Sequence, residues 1–339
     1  MPDHHHLFGP FVRRFLLEEV AADRNLSLNT QRSYRDAIRL LLRFIAEHHA
    51  LDPTRVTVEQ VTAEVLRAFL AHLEGNRKNS VTTRNQRLFA IHSLFRFVGR
   101  QVPELVEQAT QIQAIPPRCA QTPVMAYLDK DEIDALLDMP NRQRSQGRRD
   151  YALLLFLYNT GARASEAATM TIGDLALGVA PSVRLVGKGR KIRLCPLWAH
   201  TAGVLHDLVE ARLDGPREAP VFLNVRGKPI TRFGIHTLVA RAAEKAAKTR
   251  PSLQSKPVSP HTIRHTTAVH LLRAGVDINT IRAWLGHVSL ETTNRYAEVD
   301  LEMKAKALKS CAVHGPKTVA APAPLWRRDS ELMAFLTSL

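Results

Sequence analysis

The stretch PHTIRHTTAVHLLRAGVDINTIRAWLGHVSLETTNRYAEV, Pro260 to Val299, decides how the rest of the chain is read. A helix starting near Pro260 sends His261 and Arg264, three positions apart, out of its first turn on adjacent faces. The unpaired N–H groups of that turn lie beside them, so the spot suits an anion. Ile263, Ala268, Leu271 and Leu272 keep a helical period, and Ala274-Gly275 ends it, because glycine accepts the left-handed cap. A second helix is expected from about Ile278 to Leu285. Gly286-His287 breaks that helix, and a further turn from Leu290 to Tyr296 presents a tyrosine nine positions after the histidine.

A tyrosine hydroxyl, with a pKa of about 10, is a poor nucleophile. Cations and hydrogen-bond donors make it useful when they stabilise both the phenolate and an anionic group under attack. Two upstream segments supply such groups. YNTGARASEA places Arg163 in a turn after an apolar helix, with Glu166 three residues on. RLVGKGRKIRLCPL places Lys188 in the tip of an expected β-hairpin.

The ordered set Arg163, Lys188, His261, Arg264, His287, Tyr296 resembles that of the tyrosine recombinase (phage integrase) family. The family carries Arg, Lys, His-x-x-Arg, His or Trp, then Tyr, and T-G-A-R-A-S-E, H-T-I-R-H-T, L-G-H-V-S and T-T-N-R-Y-A match its boxes in turn. Ala162 and Ala164 depart from it, since bulky aliphatics are commoner there. The resemblance implies a site-specific recombinase or integrase that cuts DNA through Tyr296 and a 3′-phosphotyrosyl bond. Arg163 and Arg264 would grip the phosphate, Lys188 would act as general acid, and His261 and His287 would hydrogen-bond the phosphate. No metal, nucleotide or other cofactor enters that chemistry.

Composition points the same way. The 339 residues hold 47 Lys and Arg against 32 Asp and Glu, a net charge of +15. A polyanion is the natural partner, and double-stranded DNA fits better than a membrane surface, since no basic amphipathic helix stands apart from the globular pattern. The apolar run near Leu153 to Leu157 is too short to span a bilayer, and with no signal peptide in view a cytoplasmic location is expected. Cys119, Cys195 and Cys311, odd in number and far apart, read as reduced thiols. His4, His5 and His6 read as a terminal tail.

From Phe8 to about Ile112 the chain reads as consecutive helices without a convincing strand. Ser27 or Asn29 caps the second, Gly75 ends the third, and Ser80 or Thr82 opens the fourth. Arg77, Lys78, Thr82, Thr83, Arg84, Asn85 and Arg87 crowd the polar face of the fourth helix and its lead-in, a candidate DNA-binding surface. S-L-N-T-x-x-S-Y at Ser27 and T-x-x-N-x-x-L at Thr82 resemble the family's core-binding domain. The expected organisation is thus mainly α: a helical, SAM-like core-binding domain over 8–112, a proline-bearing linker over 113–125, and a mixed α+β catalytic domain with a small antiparallel sheet over 126–312. In the catalytic domain, strands are expected at Ile172 to Leu177, Ser182 to Val186 and Ile192 to Leu194. Helices are expected at Leu128 to Met139, Arg149 to Asn159, Ala199 to Leu213 and Arg232 to Lys248. A Pro- and Ala-bearing tether over 313–339 carries a last amphipathic helix, Ser330 to Leu339, that must dock on its own subunit or on the next.

Ordinary readings exist for each residue alone: Arg163 and Glu166 as a surface salt bridge, Tyr296 as a core aromatic, the histidines as metal ligands without the carboxylate or cysteine partners a site needs. Six in order outweigh them. A type IB-like topoisomerase, or an inactive DNA-binding architectural or regulatory protein of the same fold, is the alternative. Recombination of two duplexes calls for a homo-tetramer on paired sites, whereas relaxation calls for one subunit.

Overall fold

The computed structural model describes residues 6–49, 52, 54–120, 125–187, 189 and 191–286. The chain divides into two compact units, Met1–Pro123 and Val124–Leu339.

The first unit is helical. Helix α1 (Phe8–Arg14) runs on through Phe15–Asp23 in wider turns, whose exit is marked by Arg24 N–H donating to Glu19 O, five residues back. Helices α2 (Leu28–His49), α3 (Ala63–Gly75), α4 (Val81–Gln101) and α5 (Val106–Gln113) follow. The first three of these are capped by hydroxyls: Ser27 Oγ accepts from Thr30 N–H, Thr62 Oγ1 from Val65 N–H and Ser80 Oγ from Thr83 N–H. Ser27 and Ser80, not Asn29 and Thr82, are therefore the caps. Phe8, Phe15, Leu41, Phe44, Phe69, Leu88 and Phe95 meet in the core. Each fully buried aromatic or aliphatic side chain contributes roughly 1.5–3 kcal/mol. The only extended pairing among the described residues of this unit is one antiparallel bridge, Leu7 with Thr57.

The second unit is α+β. Helices α6 (Lys130–Leu137), α7 (Ser145–Thr160) and α8 (Ala164–Thr169) precede strands β1 (Leu175–Ala176), β2 (Ser182–Val186) and β3 (Ile192–Pro196), which form an antiparallel sheet in the order β1-β2-β3. Helices α9 (Ala199–Val209), α10 (Arg232–Ala246), α11 (Pro260–Arg273) and α12 (Ile278–Leu285) complete it. The expected strand from Ile172 begins late. Asp174 Oδ2 accepts from both the N–H and the hydroxyl of Thr171, curling Ile172–Asp174 into a 3-10 turn and leaving two residues for β1. The expected helix through Leu213 likewise stops at Val209 and finishes as a 3-10 turn, Glu210–Arg212.

Helix α7 is the pivot. Tyr151 to Thr160 is buried without interruption, so it packs on several sides, against α9 and α11 among others. It ends at Gly161, whose left-handed φ of 59° would strain any other residue. Leu285 presses on that glycine so closely that an added Cβ would lie 2.5 Å from its Cδ2.

Candidate active site

The end of α7 is tied down from two later helices. Thr267 Oγ1 of α11 donates to Tyr158 O at 2.7 Å, and Trp284 Nε1 of α12 donates to Asn159 O at 3.3 Å. After Gly161 the chain turns through Ala162, fully buried, to Arg163 at the mouth of α8. Small alanines at 162 and 164 let this turn pack flush with the core. Glu166, one turn into α8, closes it by accepting from Arg163 N–H at 2.8 Å.

Glu166 is 4% exposed, and its carboxylate is a hub. Oε1 accepts from Arg163 Nη1 at 2.8 Å and from Arg193 Nη1 at 3.0 Å, while Oε2 accepts from Arg193 Nη2 at 2.7 Å. The arrangement with Arg193 is a two-pronged pair, the strong geometry for guanidinium and carboxylate. Burial by itself would raise the Glu166 pKa, but the hydrogen bonds and charge of Arg193, joined by those of Arg163, hold it below the ordinary carboxylate value. Glu166 is accordingly an anion that keeps two arginines in place.

Arg264 is the largest fully buried side chain among the described residues, at 1% exposure. Its position in the first turn of α11 follows from Ser259, whose hydroxyl accepts from Thr262 N–H, with Pro260 opening the helix. The guanidinium donates to Gly161 O at 2.6 Å and to Leu285 O at 2.5 Å. It therefore ties the carbonyl just after α7 to the last carbonyl of α12. His261 lies exposed on the outer side of the same turn, its ring 4.2 Å from that of His265.

Arg163, His261 and Arg264 line one cleft of about 230 Å³, together with Ala164, Ser165, Pro260, Arg232 and His236. Three arginines and two histidines face it, and among the described residues its lining contains no carboxylate. A cavity of that charge suits an oxyanion, whose oxygens guanidinium and imidazole donors can meet. Lys188, His287 and Tyr296 lie outside the described residues. Strands β2 and β3 end and begin where expected, at Val186 and Ile192, and Gly187 N–H donates to Lys191 O at 2.8 Å.

In the first unit, Arg77, Lys78 and Thr82 are exposed, and Lys78 takes a left-handed φ of 49°. Thr83 is half-buried and shares a hydrogen bond with the Ser80 hydroxyl. Arg84 turns inward, its Nε 3.1 Å from Glu74 Oε1, and Arg87 is half-buried. Arg84 thus braces the start of α4, while Arg77, Lys78 and Thr82 hold the surface.

Sequence reading passed over Arg193, Arg232 and His236. Arg193 leaves a signal: on β3 it alternates with the exposed Ile192 and Leu194 and shares the inward side with buried Cys195. A charge at an inward strand position asks for a partner. The two cleft residues of α10 leave none, because exposed Arg and His on a helix are commonplace.

Comparison with known proteins agrees with this geometry. Residues 126–303 match the model of the phage integrase family, and residues 13–101 match that of the phage integrase N-terminal SAM-like domain. A candidate integrase/recombinase of Sinorhizobium fredii, y4rC, is 37% identical over 335 residues, covering 99% of both chains. The tyrosine recombinase XerC of Pelobacter propionicus is 34% identical over 292 residues, covering 86% of this chain and 91% of its own. Among solved structures, the Tn1549 transposon integrase in complex with transposon right end DNA shares the fold with a TM-score of 0.67 at 17% identity, over 89% of this chain and 99% of that one. With a catalytic-domain match that takes in Arg163, Glu166, Arg193, His261 and Arg264, and with a full-length relative at this level of identity, the chain belongs to the phage integrase family.

Proposed function

We propose that the protein is a tyrosine-type site-specific recombinase that breaks and rejoins DNA strands without metal or nucleotide. The observation that carries this reading is the cleft lined by Arg163, His261 and Arg264, with Arg232 and His236 beside them. The Tyr296 oxygen attacks the scissile phosphorus, the bond to the 5′-oxygen breaks, and a 3′-phosphotyrosyl linkage forms. His261 takes the tyrosine proton, and Lys188 supplies one to the leaving 5′-oxygen. Arg163 and Arg264 hold the non-bridging oxygens, whose charge grows in the transition state. A donor so placed is worth roughly 10² to 10³ in rate. Attack by another strand's 5′-hydroxyl reverses the step, so the bond energy is conserved.

The domain plan follows: 8–112 and 126–312 both contact the duplex, with Arg77, Lys78, Thr82, Thr83 and Arg87 of the first as DNA-binding residues, Arg84 bracing them, and 113–125 as linker. Four protomers assemble on paired sites in the cytoplasm, where the DNA is, and the segment 313–339 links neighbours. No described helix is long and apolar enough to cross a membrane.

A nicked suicide substrate from the protein's own genomic neighbourhood tests the chemistry. The wild-type protein leaves a covalent adduct on its 3′-phosphate, and Tyr296→Phe leaves none. An adduct formed by Tyr296→Phe would overturn the assignment.

A further inference from the structure

Arg193 belongs to no step above, yet it touches three parts of the site. Its Nη1 and Nη2 bond the Glu166 carboxylate, which in turn holds Arg163 through backbone and side chain. Its Nε donates to Trp284 O at 2.8 Å, at the end of α12. Its Cδ supports Gly286, where an added Cβ would lie 3.1 Å away. The carboxylate it fixes also abuts the hairpin connection, since a Cβ on Gly187 would lie 3.1 Å from Glu166 Oε1. One side chain, itself at an inward position of β3, therefore meets the partner of Arg163 and the residue before His287, and through that partner it reaches the residue before Lys188.

We propose that Arg193 is a positioning residue for strand cleavage: acting through Glu166, it sets the Arg163 guanidinium against the scissile phosphate, and through Trp284 and Gly286 it sets where the chain leaves α12. This rests on the recombinase reading. Glu166 has two guanidinium partners, and without Arg193 its whole charge falls to Arg163, which is drawn toward the carboxylate and away from the cleft. Duplex binding, spread over many phosphates, changes little. The loss falls on the chemical step, where misplacing one group by about 1 Å costs on the order of 10²-fold.

The test compares wild type, Arg163→Ala, Arg193→Ala and Arg193→Lys on two nicked substrates, one with an ordinary scissile phosphate and one with a methylphosphonate there. The methyl group removes the non-bridging charge that Arg163 is there to meet. Adduct formation is timed at a temperature below each variant's melting point, and DNA affinity is measured alongside. On phosphate, Arg193→Ala loses about 10²-fold in cleavage with affinity nearly unchanged, and Arg193→Lys, which keeps charge but not the fork, falls between. On methylphosphonate the Arg193→Ala deficit shrinks, as that of Arg163→Ala does. A deficit of equal size on both substrates means a merely structural role and overturns the proposal, as does wild-type cleavage by Arg193→Ala. Should Arg193→Ala fail to fold, the same comparison is read from Arg193→Lys. A wild-type protein that leaves no adduct on either substrate overturns the recombinase reading itself, a result distinct from the others.

Discussion

Replacing Glu166 by glutamine keeps the shape of the side chain and removes its charge. The carboxylate is 4% exposed, and its pairing with Arg193 is buried on both sides, with side-chain exposures of 9% and 2%. Removing one member of such a pair leaves an uncompensated charge and costs about 3–5 kcal/mol. Most of that comes from Arg193, because the Arg163 side chain is 35% exposed and water screens its share. For a unit of this size each kcal/mol moves the melting temperature by about 2–4 °C, so Glu166→Gln should melt roughly 6–20 °C below wild type at pH 7. The pH dependence carries the sign. The folded-state pKa lies below the ordinary 4.5, so the stabilisation is fully present above that value and is lost as pH falls through the lower, folded-state one. The gap between wild type and variant, followed by calorimetry or circular dichroism, should be constant from pH 7 to about 5 and narrow below about 4.5. Equal melting at pH 7, or a gap that keeps its width into acid, would refute the argument.

Other outcomes follow from the same packing. Gly161→Ala places a methyl in a left-handed backbone and 2.5 Å from Leu285 Cδ2, so it should lower stability by about 2–4 kcal/mol in urea unfolding. Ser80→Ala removes the hydroxyl that caps α4 and should cost about 1 kcal/mol, with cleavage on a bound substrate unchanged. Burial pushes the Cys195 thiol up to about 12, so alkylation at pH 8 followed by peptide mass analysis should leave it unmodified until the protein unfolds, while exposed Cys119 reacts. Affinity for DNA should fall steeply between 50 and 200 mM salt, by about 10³ to 10⁵ if six to ten phosphates are contacted, and a flat titration would deny contacts from both units. Deleting Ser330 to Leu339 should spare binding to one site and abolish the synaptic complex, read by gel shift with paired sites.

How much of this was legible beforehand depends on whether a residue's reason is local. The bounds of α11 were, because Pro260 opens the helix and the glycine at 275 ends it, each acting on the turn beside it. Arg163 with Glu166 was legible as a pair but not as part of a core: three-residue spacing is equally that of a solvated helix salt bridge, and only the fold places Arg193 on the far side of the carboxylate. Arg84 went the other way, read with the basic surface and found against Glu74, since its ten-residue separation from that partner crosses a helix boundary. The truncated β1 turns on Thr171 and Asp174, a local hydrogen bond that outweighs an apolar alternation.

Arg264 has a consequence for timing. Its two carbonyl partners sit 103 residues before it and 21 after it. A chain made from its N-terminus has α7 long before α12, so during synthesis the phosphate grip proposed for Arg264 cannot close until Leu285 is out. Contacts so distant in sequence are also slow to form. On the proposed mechanism, a nascent or half-unfolded copy has no assembled pair of arginines with which to open a strand. Competence to break a chromosome thus arrives together with the finished fold and departs with it.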